Sequence, residues 1–81
     1  MWSVYAMESL NDGDLYIGMA LDVNARFIEH QAGKVRSTKA RRPIRLIYVE
    51  VVGSTSEARR REKYLKSAGG KRWLKKKLGR H

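Results

Sequence analysis

Runs of apolar and β-branched residues predict three strands. The first two runs, residues 2–8 and 15–19, contain Val, Ile, Tyr and Trp, and the turn signal Asn11-Asp12-Gly13 lies between them. This arrangement predicts a β-hairpin. The third run, residues 44–52, follows Pro43, and proline cannot lie inside a central strand ladder. We expect this third strand to be buried on much of both faces.

Local capping signals predict two longer helices. The carboxylate of Asp22 can accept hydrogen bonds from the first backbone N–H groups of a helix that runs to about residue 32, where Gly33 favours its end. Ser54 and Glu57 have the S-x-x-E spacing of a capping box, which predicts a second helix that ends near residue 67. The polar and basic residues 33–42 are expected to form a loop.

A short basic helix is predicted near the end of the chain. The pair Gly69-Gly70 is expected to break the second helix, because glycine is a poor helix former. Residues 72–78 then form a helix whose apolar side is Trp73, Leu74 and Leu78. The resulting element order is ββαβαα. It predicts an α+β fold, with a three-stranded, at least partly antiparallel β-sheet and flanking helices.

Composition narrows the class of protein. Eighty-one residues leave room for one core, so residues 1–81 are expected to form a single domain with a basic C-terminal helix or tail at about residues 70–81. No apolar run approaches the roughly 20 residues of a membrane-spanning helix, and the N-terminus lacks a secretory signal pattern. The chain contains no cysteine, which fits a reducing compartment, and we expect a cytoplasmic protein.

Charge is distributed unevenly along the chain. Residues 1–25 contain four acidic and no basic residues, whereas residues 26–81 contain all eighteen basic residues and the other four acidic ones, so the two segments carry −4 and +14. A basic surface of this size attracts polyanions through counterion release. Nucleic acid is the expected partner, and an anionic membrane is the weaker alternative. Charge alone does not separate a nuclease from a passive binder or a ribosomal-type protein.

Two tyrosines of the hairpin are candidate functional residues. Tyr16 lies two residues before Gly18, and a glycine inside a strand often marks a place where a ligand backbone comes close. Tyr5 lies in the first strand. A loop centred on residues 10–11 would place Tyr5 opposite Tyr16, whereas a tight turn further along the chain would place it near Ala20. The sequence leaves both registers open.

Three helical residues are further candidates. Arg26 and His30 are four residues apart on the first predicted helix and therefore project from one face. They are either solvated surface residues or a phosphate clamp and a hydrogen-bond partner of the nucleophile. Glu62 follows Ala58 by four residues and precedes Leu65 by three, so it borders the packing face of the second helix. A carboxylate there suggests a metal ion or an arginine, such as Arg26, as its partner.

In combination, these residues resemble the GIY-YIG nuclease superfamily, and most closely its small stand-alone bacterial members. The resemblance covers about residues 2–67. It implies a GIY-YIG-type fold and a metal-dependent DNA endonuclease that hydrolyses phosphodiester bonds in DNA repair or recombination. The residues that carry it are Val4-Tyr5, Tyr16-Ile17-Gly18, Arg26, His30 and Glu62, together with the signature stretches 12–18, 41–48, 56–58 and 60–63.

The resemblance also implies roles for five residues. Glu62 would be the only protein ligand of one Mg²⁺ or Mn²⁺ ion. Tyr5 and Tyr16 match the two motif tyrosines, one of which would orient or deprotonate the attacking water, and which one does so is left open. Arg26 would neutralise charge in the transition state, and His30 would orient the nucleophile or relay a proton. The products would carry a 5′-phosphate and a 3′-hydroxyl.

The chain departs from the family pattern at three points. Its first motif is Ser3-Val4-Tyr5 instead of Gly-Ile-Tyr, a change that the small serine is expected to tolerate. Met19 stands where the repair-incision branch has a lysine, which favours the stand-alone branch. After Glu62 there is no asparagine that matches the one found in other branches, so no role is assigned there.

A second group of residues is expected to contact phosphates without specifying sequence. Its members are Lys39, Arg41 and Arg42 in the predicted loop, and Lys71, Arg72, Lys75, Lys76 and Lys77 in the tail. Trp73 either stacks on a base or packs the terminal helix onto the core. The expected partner is single-stranded or branched DNA.

The remaining expectations concern assembly and the competing class of protein. We expect a monomer, with self-association left open, no small-molecule cofactor and no membrane attachment. The alternative is a non-catalytic basic nucleic-acid-binding protein on the same fold. Glu62→Ala separates the two, because a binder would keep its DNA affinity and a nuclease would lose cleavage.

Overall fold

The computed structural model describes residues 1–79. Its elements are β1 (Trp2–Ser9), β2 (Leu15–Ala20), α1 (Val23–Gln31), α2 (Arg36–Lys39), β3 (Ile44–Val52), α3 (Thr55–Lys66) and α4 (Ala68–Lys77). The predicted α+β fold and the order of its principal elements are confirmed. The helix α2 is additional, and no helix within residues 1–79 has the length and apolar character needed to cross a bilayer.

The sheet is antiparallel throughout, with the strand order β2-β1-β3. The central strand β1 is therefore the buried one, and its residues 3–7 are all buried. The prediction that the third strand is buried on much of both faces is wrong. In the edge strand β3, Val49 and Val51 remain 44% and 59% exposed. The core on the α1 side of the sheet covers β3 only near Ile44 and Leu46.

The hairpin adopts neither of the two expected registers. Tyr5 is paired with Gly18, and Met7 is paired with Tyr16. The turn spans residues 10–13, because the N–H of Ser9 donates to the carbonyl of Asp14 over 2.9 Å. Residues that face each other across a strand pair share one side of the sheet. Tyr5 and Tyr16 are therefore diagonal neighbours on the same side.

Each side of the sheet carries a separate core. On one side, Val4, Ala6 and Ile17 pack against α3 and α4 through the buried residues Ala58, Leu65 and Leu74. On the other side, Tyr5 and Met7 pack with Ile44, and residues of β2, α1 and β3 surround them: Tyr16, Ala20, Val23, Phe27 and Leu46. Because side chains alternate along a strand, Tyr5 faces α1 while its neighbours Val4 and Ala6 face α3.

Residues 33–42 are not a simple loop, because residues 36–39 form α2. The carbonyl of Val35 accepts hydrogen bonds from the N–H groups of Thr38 and Lys39. The side chain of Thr38 is fully buried and contacts His30 of α1. This tertiary contact joins the short helix α2 to α1. Lys39 therefore ends a helix instead of lying in a loop.

The predicted break at Gly69-Gly70 is also wrong. The chain bends at Ser67, whose hydroxyl accepts a hydrogen bond from the N–H of Gly70 at 3.0 Å, and both glycines lie in the first turn of α4. A Cβ atom on Gly70 would lie 2.6 Å from the carbonyl carbon of Tyr64. Gly70 is thus needed where α4 crosses the end of α3. The predicted basic tail is helical as far as Lys77, and its last two residues lie outside the described chain.

Candidate active site

Tyr5 is the centre of a cluster of polar side chains on the α1 side of the sheet. It is 1% exposed, and its ring extends from the central strand across Gly18 of the edge strand β2. Its Oη atom lies 3.2 Å from Nε2 of His30. The guanidinium of Arg26 is near enough to the same hydroxyl to lower its pKa. Two cationic or basic groups therefore converge on one phenol.

His30 and Arg26 are positioned by α1, one helical turn apart. The helix begins where Asp22 accepts a hydrogen bond from the N–H of Ala25 at 3.0 Å. Its other end is joined to β3, because the amide of Gln31 donates to the carbonyl of Ile44 and accepts from its N–H. His30 is fully buried, so it is not the solvated surface residue that the sequence allowed.

Thr38 is a member of the cluster that sequence reasoning missed. Its Oγ1 lies 2.6 Å from Nδ1 of His30, and both residues are 0% exposed. The two ring nitrogens of His30 are thus occupied by Tyr5 on one side and Thr38 on the other. Nothing in the polar, basic stretch around Thr38 distinguishes it, because its burial depends on how α2 docks against α1.

Tyr16 completes the aromatic part of the cluster. Its ring centroid lies 5.0 Å from that of His30 and 6.4 Å from that of Tyr5. Tyr16 is half-buried, whereas Tyr5 is fully buried. Of the two tyrosines, Tyr5 therefore has the hydrogen-bonded position beside His30 and Arg26, and Tyr16 forms the more open flank.

Glu62 lies on α3 and acts on the cluster through its charge. Its side chain is 24% exposed, and the nearest cation is Lys66, whose Nζ lies 3.7 Å from a carboxylate oxygen. The charge of Glu62 reaches Tyr5 and contributes to raising the pKa of that phenol. The expected alternative partner, Arg26, pairs instead with Glu29 at 3.8 Å. Among residues 1–79, the ion pair of this carboxylate is thus the long one to Lys66, and its charge acts on the phenol of Tyr5.

Burial sets the protonation states of the resting cluster. It raises the pKa of Tyr5 above 10.0, and the neighbouring Arg26 opposes that effect. Burial, followed by the charge of Arg26, lowers the pKa of His30 below 6.5. These ordinary values already make proton transfer from Tyr5 to His30 unfavourable by about 5 kcal/mol, and both changes increase that cost. Tyr5 and His30 are therefore both neutral at rest.

Glu62 is the candidate ligand for a metal ion at this cluster. Within residues 1–79, His, Cys, Asp and Glu side chains form no group of three or more that could hold a metal ion. A single carboxylate suits Mg²⁺, which keeps several waters and often takes only one or two protein carboxylates. The partial exposure of Glu62 and its weak pairing with Lys66 are compatible with such a hydrated ion.

Of the predicted phosphate-contacting residues near β3, two arginines already have partners within the chain. The guanidinium of Arg41 lies 3.1 Å from a carboxylate oxygen of Asp14. Arg42 donates to the carbonyls of Lys39 at 2.9 Å and Gln31 at 3.3 Å, and so connects α2 to the end of α1. Lys39 is exposed at the end of α2. The guanidinium of Arg42 thus supports the fold at the position where phosphate contact was expected.

The basic residues of α4 lie on its exposed side. They are Lys71, Arg72, Lys75, Lys76 and Lys77. Trp73 is partly buried: its ring meets the edge of Tyr48 with centroids 6.1 Å apart and is covered by the guanidinium of Arg61 at 4.5 Å. The structure therefore favours the packing role of Trp73 over base stacking.

Comparison with known proteins identifies the family. The model of the GIY-YIG catalytic domain matches residues 1–77. A UPF0213 protein of Staphylococcus epidermidis is 52% identical over 58 residues, which cover 70% of this chain and 71% of that protein. A UPF0213 protein of Staphylococcus aureus is 47% identical over the same length, with the same coverage. The chain therefore belongs to the GIY-YIG family, a nuclease superfamily.

A solved structure agrees with this assignment. The solution NMR structure of the UPF0213 protein BH0048 from Bacillus halodurans aligns with a TM-score of 0.56 and 36% sequence identity. The alignment covers 91% of this chain and 82% of that one. The relatives of the chain are thus the UPF0213 proteins, small single-domain bacterial members of the family. GIY-YIG nucleases act on DNA and generally use a divalent metal.

Proposed function

We propose that this chain is an endonuclease that hydrolyses phosphodiester bonds in DNA with one divalent cation, Mg²⁺ or Mn²⁺. The observation that supports it most directly is the cluster in which the Tyr5 hydroxyl meets His30 and Arg26 while the charge of Glu62 reaches the same phenol. A hydrolase of this kind needs a proton acceptor, a cation for developing negative charge and a metal ligand. In this proposal, Tyr5 of β1, His30 and Arg26 of α1, and Glu62 of α3 supply these three groups.

In the proposed mechanism, Tyr5 takes a proton from the attacking water while its own proton moves to Nε2 of His30. The 3.2 Å separation of these two atoms permits direct transfer. Because the transfer is unfavourable in the resting cluster, we expect it to accompany water attack instead of preceding it. Arg26, already adjacent to Tyr5, would stabilise the charge that develops on the phosphate.

Glu62 would hold the cation at the edge of this cluster. When bound, the ion supplies Lewis-acid stabilisation of the phosphate and favours ionisation of water. Tyr16, the more open of the two tyrosines, would orient the water or a phosphate oxygen. The products would be a 5′-phosphate and a 3′-hydroxyl.

The proposed substrate is single-stranded or branched DNA. The exposed basic side of α4 is suited to backbone contacts, which position a strand without selecting its sequence. Because Arg41 pairs with Asp14 and Arg42 donates to two backbone carbonyls, we expect the main DNA contacts at α4 instead of the segment before β3. We expect a monomer to act without a small-molecule cofactor.

The test is cleavage of labelled single-stranded, duplex and branched DNA with Mg²⁺ or Mn²⁺. Wild type is compared with Glu62→Gln, which keeps the shape of the side chain and removes its charge. Glu57→Gln is the matched control, because Glu57 lies in the first turn of the same helix. We expect wild type and Glu57→Gln to cut, and Glu62→Gln to lose at least about a hundredfold of activity, the lower range for loss of one major electrostatic group.

The competing function is binding without catalysis, which the exposed basic side of α4 also supports. In that case wild type and Glu62→Gln would bind all three DNAs with equal affinity, and neither would cut with any divalent metal. Addition of EDTA would leave binding unchanged. That combination of results would reject the nuclease and retain the binder.

A further inference from the structure

The contact between Thr38 and His30 has the geometry of a tautomer lock. Both residues are completely buried, and the Oγ1–Nδ1 distance of 2.6 Å is short for a hydrogen bond of this type. A neutral imidazole carries one N–H donor and one acceptor nitrogen, and the partner of one nitrogen determines the role of the other. The direction of the Thr38 hydrogen bond therefore decides what His30 offers to Tyr5.

The far end of this series of hydrogen bonds offers an acceptor for the Thr38 hydrogen. The Thr38 hydroxyl has one hydrogen, and the carbonyl of Val35, 3.4 Å away, can only accept. When the hydroxyl donates to that carbonyl, its oxygen accepts from His30. In this arrangement Nδ1 of His30 carries the proton that lies between them.

The near end agrees with this assignment. Tyr5 is almost fully buried, and its hydroxyl lies 3.2 Å from Nε2 of His30. When the phenol donates its hydrogen to Nε2, that nitrogen is the unprotonated one. The whole series runs in one direction, from Tyr5 through His30 and Thr38 to the carbonyl of Val35.

We propose that Thr38 is a positioning residue that holds His30 in its Nδ1–H tautomer, so that Nε2 is available to receive the Tyr5 proton. The proton step breaks the O–H bond of Tyr5, forms an N–H bond at Nε2 and yields a phenolate and an imidazolium. Thr38 accepts from Nδ1–H before and after that step, so no hydrogen bond on that side needs to reverse. The catalytic half of this proposal rests on the proposed nuclease function, whereas the tautomer assignment does not.

The experiment combines ¹⁵N NMR of the His30 ring with DNA cleavage in full-length protein at one neutral pH. Thr38→Val removes the hydroxyl with little change in volume, and Thr38→Ser retains it. Thr55→Val, in the first turn of α3, is the control for the same chemical change elsewhere. Amide spectra of each variant establish that it is folded before the ring nitrogens are compared.

We expect wild type, Thr38→Ser and Thr55→Val to show a protonated Nδ1 and an unprotonated Nε2. Thr38→Val should show mixed or reversed tautomers and a loss of about 10- to 100-fold in cleavage rate, the range measured for partners that orient liganding histidines. A protonated Nε2 in wild type would overturn the tautomer assignment. An unchanged ring spectrum and full activity in Thr38→Val would overturn the positioning role.

The two readouts keep this proposal separate from the nuclease function. Tautomer signals that follow the Thr38 hydroxyl, in a wild-type protein that cuts no DNA, would support the hydrogen-bond assignment and reject the catalytic function. Cleavage that survives in Thr38→Val beside a reversed tautomer would support the nuclease and reject the need for positioning by Thr38.

Discussion

The hydroxyl of Tyr5 occupies the space that a side chain on Gly18 would need. The two residues are direct partners across β1 and β2, and a Cβ atom on Gly18 would lie 2.6 Å from Cζ of Tyr5. Gly18 is therefore the condition for Tyr5 to extend over the edge strand. Gly18 and Tyr5 therefore depend on each other, because the missing side chain of Gly18 leaves room for the phenol beside His30 and Arg26.

Replacement of Gly18 by alanine should displace Tyr5. The new methyl group overlaps the phenol, so we expect a loss of about 1–3 kcal/mol in the free energy of unfolding, the usual cost of overpacking. DNA cleavage should fall by a larger factor than stability alone would cause, because the Tyr5–His30 distance changes. Chemical denaturation and cleavage by Gly18→Ala measure the two effects.

A double-variant cycle with Tyr5→Ala tests whether the cost comes from this pair. Once the ring is absent, Gly18→Ala should cost much less stability than it does in wild type. Equal costs in the presence and absence of the Tyr5 ring would show that the alanine is harmful for another reason.

The adjacent glycines of α4 should respond in opposite directions to alanine. A Cβ on Gly69 meets only the end of the flexible Arg72 side chain at 3.8 Å, so Gly69→Ala should stabilise by up to about 1 kcal/mol through helix propensity. Gly70→Ala should destabilise by about 1–3 kcal/mol, because its methyl group overlaps the backbone of Tyr64. Urea denaturation of the two variants checks the sign, and a shared sign would contradict the described crossing of α3 and α4.

Buried His30 should make the fold sensitive to mild acid. Its pKa is lowered in the folded chain, chiefly by burial, so the unfolded chain binds more protons as pH falls below about 6.5. The free energy of unfolding therefore keeps the full contribution of neutral His30 above that pH. Below it, that contribution decreases by at most about 1.4 kcal/mol per pH unit. His30→Gln should show a smaller loss when unfolding free energies are measured between about pH 7.5 and about pH 5. Parallel curves would mean that His30 does not titrate on unfolding.

Neutralising the exposed side of α4 should weaken DNA binding in a salt-dependent manner. For the triple variant Lys71→Gln, Lys75→Gln and Lys76→Gln, the slope of log affinity against log salt should decrease by about 2–3, or roughly one for each lost phosphate contact. Arg41→Gln is the comparison, since Arg41 is held by Asp14 and should change the slope less. Fluorescence anisotropy at several salt concentrations provides both slopes. If the slope changed equally per removed charge in the two variants, the expected difference between the α4 lysines and Arg41 would be contradicted.

Features fixed by local chemistry could be predicted from the sequence. The caps Asp22 and Ser54 accept hydrogen bonds at the predicted helix starts, since a capping side chain needs only a backbone two or three residues away. The helical spacing of Arg26 and His30 likewise placed both on one face. The family resemblance, which comparison confirms, rested on such short-range motifs together with their order along the chain.

Features decided by distant contacts could not be predicted in this way. The hairpin register depended on the turn that residues 10–13 adopt, and the chain offered several turns of similar quality. Gly18 was interpreted as a site of ligand approach, although its partner is Tyr5 within the same chain. Thr38 gave no signal in the sequence, because its role depends on burial against His30 of α1, which lies 8 residues earlier in the chain.

The two sides of α4 have different freedom to change over evolutionary time. Leu74 is fully buried and Trp73 is partly covered, so these positions are tied to the stability of the domain. The lysines beside them face outward, while Tyr5, Tyr16, Arg26, His30 and Glu62 all precede this helix in the chain. Substitutions on the outward side of this one helix can therefore change the charge of the surface while its core contacts and the proposed active-site residues stay as they are.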